Sequence, residues 1–179
     1  MNPGDIKKIL YTADDLAAIV DDLAARINAD YAGERLLVVC ILKGSSIFMA
    51  DLVRKLDVDV DLDFMIVSSY GSAAQSSGKV DIKSDLRTDI EGRHVLILED
   101  ILDSGLTLSR LRDELATRNP ASLEIAALIV KDVHREHAIE PKYVGTECPN
   151  EFVVGYGLDY NEMYRHLPYV GVLDEKVYS

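Results

Sequence analysis

The middle of the chain carries residue types that suit a ligand with both a phosphate and a sugar. An apolar run at 95–98 indicates a buried strand, and two acidic residues, Glu99 and Asp100, follow it directly. The string Asp-Ser-Gly-Leu-Thr occupies 103–107, and a helical pattern starts within it. Carboxylates accept hydrogen bonds from sugar hydroxyls or lie close to a metal ion, whereas they repel a phosphate.

The string at 103–107 has the composition of an anion site. Gly105 permits backbone torsions that other residues resist and lets a ligand approach the main chain. The first amides of a helix that begins near Leu106 lack internal partners and lie at the positive end of the helix dipole, which favours an anion. Ser104 and Thr107 add hydroxyl donors. A solvated turn with an ordinary N-cap has a similar string, but the strand, the acids and the turn together predict a phosphate pocket.

Three other segments carry side chains that could serve the same ligand. Leu42-Lys43-Gly44 follows an apolar strand and opens a helix, so it is a second helix N-terminus suited to an anion. Lys131 ends an apolar run, and the stretch 152–165 combines aromatic, acidic and basic residues. Taken singly, the first two features are more typical of a solvated turn and a surface lysine, and the third is also typical of core packing. His134-Arg135-Glu136-His137 lacks the spacing of a zinc motif and indicates a solvated helix or loop.

The rest of the chain alternates helical and strand patterns. Apolar residues at helical spacing predict helices at 12–30, 45–56 and 106–117, with Thr12 as N-cap of the first. Apolar runs predict strands at 36–42, 63–69 (or from 57), 95–98, 125–130, 143–146 and 152–155. Strands separated by helices indicate an α/β fold with a mostly parallel sheet flanked by helices. The segment 70–79 has no buried anchor, which predicts a mobile loop, either a plain surface loop or a closing lid.

Length and composition limit the class of protein. A chain of 179 residues with 48% hydrophobic residues and no internal repeat predicts a single domain. No apolar stretch approaches the roughly 20 residues that span a bilayer, and the first residues lack the pattern of a signal peptide. The cysteines, Cys40 and Cys148, imply no disulfide framework. We therefore expect a cytoplasmic protein with no membrane partner.

The charge of the chain limits its partners further. The formal net charge is −12, and the sequence pI is about 4.7. An acidic surface disfavours nucleic acid, whose binding depends on Lys and Arg side chains that neutralise phosphates. It also disfavours an anionic substrate unless a divalent metal bridges carboxylates and phosphate oxygens. We therefore expect Mg²⁺ as a cofactor and no nucleic-acid partner.

The string from Glu99 to Thr107 resembles the phosphoribosyl-pyrophosphate loop of the type I phosphoribosyltransferases. Leu42-Lys43-Gly44, Ser69-Tyr70 and the stretch 152–165 follow the same order as in the hypoxanthine-guanine enzymes of that family. The chain resembles the short bacterial kind of these enzymes over about 36–173.

The resemblance carries expectations about architecture and assembly. It implies the type I phosphoribosyltransferase fold as a single domain over 1–179, with its core at about 36–147. A small hood would be formed by the N-terminal segment and about 148–179. The family forms dimers and tetramers, so the resemblance implies a homodimer or homotetramer.

The resemblance also implies which residues bind phosphoribosyl pyrophosphate. It places a cis peptide bond between Leu42 and Lys43, in the loop that holds pyrophosphate. It makes 70–79 the lid that closes over the site. The residues implied for this substrate are Leu42, Lys43, Gly44, Ser69, Tyr70, Glu99, Asp100, Asp103, Ser104, Gly105, Leu106, Thr107 and Arg165.

A purine base would bind beside that substrate. By resemblance, Lys131 donates to the exocyclic oxygen of a 6-oxopurine, Phe152 stacks on the ring, and the backbone at Val153 reads its polar edge. Ile101 and Asp159 complete the implied purine site. The implied metal contacts are Glu99, Asp100 and Asp159.

The reaction implied is transfer of a 5-phosphoribosyl group to N9 of hypoxanthine or guanine, with Asp103, Lys43 and Arg165 as catalytic residues. Asp103 would contact purine N7, while the two cations would neutralise the departing pyrophosphate. Two alternatives stay open at this point. One is a regulator on the same fold that senses phosphoribosyl pyrophosphate and binds RNA, and the other is an enzyme that prefers xanthine.

Overall fold

The structure is a computed structural model that describes residues 4–68, 81–133 and 139–178. The predicted lid at 70–79, Ser69 and Tyr70 at its start, and the string at 134–137 lie outside the described residues. The elements in chain order are β1 (Ile6–Tyr11), α1 (Ala13–Asp30), β2 (Arg35–Leu42), α2 (Ser46–Val53), β3 (Asp59–Ser68), β4 (Asp81–Ser84), β5 (His94–Leu102), α3 (Leu106–Ala116), β6 (Ser122–Lys131), β7 (Tyr143–Cys148), β8 (Val153–Val154), β9 (Val170–Leu173) and a 3₁₀ turn (Glu175–Val177). Over these ranges, no helix is long and apolar enough to cross a membrane.

The larger sheet has the strand order β4-β3-β2-β5-β6-β7 within the described residues. Its pairs are parallel from β3 through β7, and β4 adds an antiparallel edge. The central strands are buried on both faces, because α1 and α2 cover one side and α3 covers the other. The predicted α/β class is therefore confirmed.

Helix α1 shows why the sequence pattern is reliable in this part of the chain. The Thr12 hydroxyl accepts from the Asp15 amide at 3.2 Å, and the Asp15 carboxylate accepts from the Thr12 amide at 2.9 Å, which completes a capping box. Burial of each large aliphatic side chain contributes about 1.5–3 kcal/mol. The buried face of α1 consists of Leu16, Val20, Leu23, Ala24 and Ile27.

The strand ends depart from the prediction. The strand predicted at 95–98 continues through the acidic pair to Leu102, because β6 offers backbone partners along this whole length, with Glu99 opposite Ala127 and Leu102 opposite Val130. Helix α2 ends at Val53 instead of residue 56. The extension of β3 before residue 63 is confirmed, since β3 begins at Asp59.

Three short strands, β1, β4 and β9, were not predicted. Strand β1 carries two adjacent lysines and no strict alternation, so its pattern is weak until β9 pairs with it. Among the described residues, β1, β9 and β8 form a second, antiparallel sheet from both ends of the chain. Helix α1, which also belongs to the N-terminal part of the chain, packs on the larger sheet instead. The division into a core and a hood stays a prediction.

Candidate active site

The acidic pair lies where β5 meets the loop after β2. The peptide bond between Leu42 and Lys43 is cis, as the resemblance implies. Gly44, the next residue, faces the Asp100 side chain so closely that a Cβ at position 44 would collide with the carboxylate. The two loops can approach each other because Gly44 has no side chain.

The surroundings of the pair disfavour negative charge. Burial raises the pKa of Glu99, and the neighbouring Asp100 carboxylate adds repulsion. Burial also raises the pKa of Asp100 to about 6, against the opposing effects of the Ile101 amide, which donates to Asp100 at 2.9 Å, and of the Arg165 charge. A cation beside these carboxylates would relieve the cost of ionising both.

The pair fits Mg²⁺ better than a metal held by protein ligands alone. No group of three or more His, Cys, Asp or Glu side chains in the described parts of the chain could hold a metal ion. Mg²⁺ usually takes one or two carboxylates, keeps several waters and completes its shell with substrate oxygens. Glu99 and Asp100 supply such a donor set.

The turn predicted to bind an anion follows β5 and leads into α3. Gly105 is the N-cap of α3 with φ of 76°, a left-handed conformation that favours glycine. Leu106 begins α3, so its amide belongs to the first turn of the helix. A cavity of ≈ 210 Å³ is lined here by Glu99, Ile101, Leu102, Asp103, Ser104, Gly105, Thr107 and Leu108.

A second cavity, of ≈ 260 Å³, brings together the predicted purine residues. Its lining consists of Asp100, Ile101, Asp103, Lys131, Phe152, Val153, Leu158 and Asp159. Lys131 enters from the end of β6, and its Nζ lies 3.0 Å from Oδ2 of Asp103. Leu158 was missed by the sequence analysis, since a lone leucine between a glycine and an aspartate has no distinguishing pattern.

The two predicted pyrophosphate cations lie around one carboxylate that the sequence analysis also missed. Lys43 Nζ lies 2.9 Å from Oε2 of Glu162, and Arg165 Nη2 lies 3.5 Å from Oε1 of the same residue. Arg165 Nη2 also pairs with Asp159 at 2.8 Å, and its Nη1 donates to the Gly157 carbonyl at 2.7 Å. The only sequence signal for Glu162 is its place three residues before Arg165.

Residues 8–161 match the phosphoribosyl transferase domain. The chain belongs to the phosphoribosyltransferase family. The hypoxanthine-guanine phosphoribosyltransferase of Streptococcus pneumoniae is 51% identical over 179 residues, which is 100% of this chain and 99% of that protein. The enzyme of the same name from Staphylococcus aureus is 49% identical over 175 residues, covering 98% of each chain.

The phosphoribosyltransferase also resembles solved structures closely. A crystal structure of a hypoxanthine phosphoribosyltransferase from Staphylococcus aureus matches it with a TM-score of 0.93 and 48% identity, covering 98% of this chain and 95% of that one. The predicted resemblance and fold are therefore confirmed. The individual roles of the site residues stay predictions.

A glycine in the last part of the phosphoribosyltransferase joins these segments and yields a first testable prediction. Gly157 has φ of 105°, and a Cβ there would collide with the Gly44 carbonyl. We expect Gly157→Ala to lower the free energy of unfolding by about 1–3 kcal/mol and to weaken binding of pyrophosphate, because the loop at Gly44 must move. Denaturant unfolding and calorimetry with pyrophosphate measure these effects.

The matched control is Gly92→Ala. Gly92 also has a positive φ, 68°, but a Cβ there would meet nothing within 4 Å. This variant should lose stability through backbone strain and bind pyrophosphate as the wild type does. Equal pyrophosphate affinity in both variants would show that the contact between Gly157 and Gly44 does not position the loop.

Proposed function

We propose that this phosphoribosyltransferase moves the 5-phosphoribosyl group of phosphoribosyl pyrophosphate to N9 of hypoxanthine or guanine in purine salvage. The products are the nucleoside monophosphate and pyrophosphate. The observation that carries the proposal is the pair of Lys131 and Asp103 in the ≈ 260 Å³ cavity, with donor and acceptor atoms 3.0 Å apart.

This pair matches one edge of a 6-oxopurine. An ammonium has only donors and a carboxylate has only acceptors. A 6-oxopurine presents O6 beside N7, whereas adenine presents an amino group at the corresponding position. Lys131 would therefore donate to O6 while Asp103 accepts a proton from N7. Adenine would set its amino group against the ammonium and would be rejected.

The proposed reaction breaks the bond between C1′ and the pyrophosphate oxygen and forms the bond between C1′ and N9. The proton on N7 passes to Asp103 as N9 attacks, so Asp103 acts as the general base. Lys43 and Arg165 offset the charge that develops on pyrophosphate. The turn at 103–107 binds the 5′-phosphate through its amides and hydroxyls. Glu99 and Asp100 accept hydrogen bonds from the ribose hydroxyls.

Mg²⁺ is the proposed cofactor. Glu99 and Asp100 would hold one ion, and Asp159 would contact a second. When bound, the ion neutralises charge on the pyrophosphate oxygens. The raised pKa values of the acidic pair support this assignment. We expect calorimetry to show tight binding of phosphoribosyl pyrophosphate with Mg²⁺ and much weaker binding with a chelator, and equal affinity in both buffers would contradict the assignment.

A homodimer or homotetramer is the proposed assembly. Leu62, Phe64 and Ile66, alternate residues of β3, are 46%, 40% and 42% exposed. They form an apolar stripe on one face of the sheet, and contiguous apolar surface of this kind commonly marks a protein interface. Light scattering on the wild type and on Phe64→Glu tests this, and a monomeric wild type would contradict it.

The first test of the function is nucleotide formation with Mg²⁺, phosphoribosyl pyrophosphate and a single base. Hypoxanthine, guanine, xanthine, adenine and uracil are supplied in separate reactions. We expect turnover with hypoxanthine or guanine and none with adenine or uracil. Turnover confined to xanthine would correct the substrate. Tight binding of phosphoribosyl pyrophosphate without turnover on any base would favour the sensing regulator instead.

A further inference from the structure

Three aromatic side chains form a cluster next to the purine cavity. Phe152 and Tyr178 are stacked, with ring centroids 5.1 Å apart and an interplanar angle of 29°. Tyr160 meets Phe152 edge-on at 5.6 Å and 89°, and its ring lies 6.3 Å from that of Tyr178. Stacked and edge-to-face pairs are the arrangements that aromatic rings prefer.

Of the three rings, the cavity lining includes one. Phe152 lines the cavity, whereas Tyr160 and Tyr178 do not. Tyr178 stacks on one face of the Phe152 ring, so a base that stacks on Phe152 from the cavity would use the other face. Phe152 is 38% exposed, so less of the protein packs around it than around a core phenylalanine such as Phe48, which is fully buried. Tyr178 is accordingly one of the side chains that orient the ring.

Backbone and side-chain hydrogen bonds hold the segment that carries Tyr178. The Leu173 amide donates to the Phe152 carbonyl at 2.8 Å, which sets the end of β9 beside Phe152. The Asp174 side chain accepts from the Lys176 amide at 3.1 Å and caps the 3₁₀ turn. Lys176 Nζ donates to the Gly4 carbonyl at 2.9 Å. The Tyr178 amide donates to the Glu175 carbonyl at 3.1 Å, which holds Tyr178 at the end of this turn.

We propose that Tyr178 is a positioning residue for the purine base. By stacking on one face of Phe152, it sets the angle at which Phe152 offers its other face to the base. The inference rests on the proposed function and extends it to a residue that does not itself line the cavity.

The test compares three replacements by steady-state kinetics. Tyr178→Ala should raise KM for hypoxanthine and guanine by about three- to tenfold, a part of what a base–aromatic stack contributes. KM for phosphoribosyl pyrophosphate should stay unchanged, because that substrate is held by other loops. Tyr178→Phe should restore the wild-type KM for the base, since the ring makes the contact. Tyr178→Leu keeps apolar bulk without a ring and should restore it only in part.

The controls separate positioning from folding and from the function itself. Glu175→Ala changes a side chain of the same turn, keeps all three aromatic residues and should leave both KM values unchanged. A Tyr178→Ala variant in which both KM values rise together, or a Leu variant equal to the Phe variant, would overturn the inference. Unchanged KM for the base in Tyr178→Ala would overturn it too. A wild type that turns over neither hypoxanthine nor guanine would instead refute the proposed function.

Discussion

Replacing Asp103 by Asn should lower kcat for nucleotide formation by about 10²- to 10⁴-fold, the range that a general base contributes. An asparagine oxygen still accepts a hydrogen bond from Lys131, so the donor 3.0 Å away keeps a partner. The amide cannot take the proton from N7. Turnover should therefore fall while the KM for phosphoribosyl pyrophosphate changes little, because we propose that the turn at 103–107 binds the phosphate through amides and hydroxyls rather than through this carboxylate.

Steady-state kinetics with hypoxanthine and guanine measure this effect. The matched control is Asp113→Asn on α3, where the exposed carboxylate pairs with Arg112 at 3.0 Å. That variant carries the same chemical change outside the site and should keep wild-type kinetics. A kcat of Asp103→Asn within about twofold of the wild type would rule out Asp103 as the base.

Replacing Arg165 by Gln should lower kcat/KM for phosphoribosyl pyrophosphate by about 10²- to 10³-fold, the usual loss when one group that stabilises developing charge is removed. The guanidinium lies beside Asp159 and Glu162 and donates to the Gly157 carbonyl. It also opposes the raised pKa of Asp100. Its loss removes the positive charge that we propose lies beside the departing pyrophosphate. Asp159 loses the cation 2.8 Å away, whereas Glu162 keeps its pair with Lys43.

The reverse reaction, with a nucleoside monophosphate and pyrophosphate as substrates, gives the sharper measurement. KM for pyrophosphate should rise in Arg165→Gln, whereas binding of the base should change little. Arg165→Lys keeps the charge and should fall between the wild type and the Gln variant. The control is Arg112→Gln, an arginine on α3 that pairs with Asp113. A wild-type KM for pyrophosphate in Arg165→Gln would exclude the proposed role.

The elements were predictable where burial imposes a pattern. The strand at 36–42 is an uninterrupted apolar run, and β2 occupies Arg35–Leu42. Thr12 and Asp15 indicate the start of α1 in the sequence, because a capping box is formed by two residues three positions apart. Strands β1 and β9 could not be predicted in this way. They are short, and their stability depends on pairing between opposite ends of the chain.

The residues of the candidate site differ in the same way, since some have a local sequence signal and others do not. Local strings predicted the acidic pair, the turn at 103–107 and Lys43, because each string combines its own ligand groups with a strand end or a helix start. Glu162, Leu158 and Tyr178 had no such signal. Their places depend on how the segment after β7 folds back on the larger sheet.

By itself, the sequence determined the alternation of strands and helices, the glycine turn at 103–107 and the acidic pair beside it. These follow from interactions between residues close in the chain, such as helix capping, unpaired amides and burial of apolar runs. Only the tertiary structure decided that Lys131 meets Asp103, that Glu162 lies between Lys43 and Arg165, and that Tyr178 stacks on Phe152. These contacts join distant segments or depend on the conformation of one turn, and residue type and spacing specify neither.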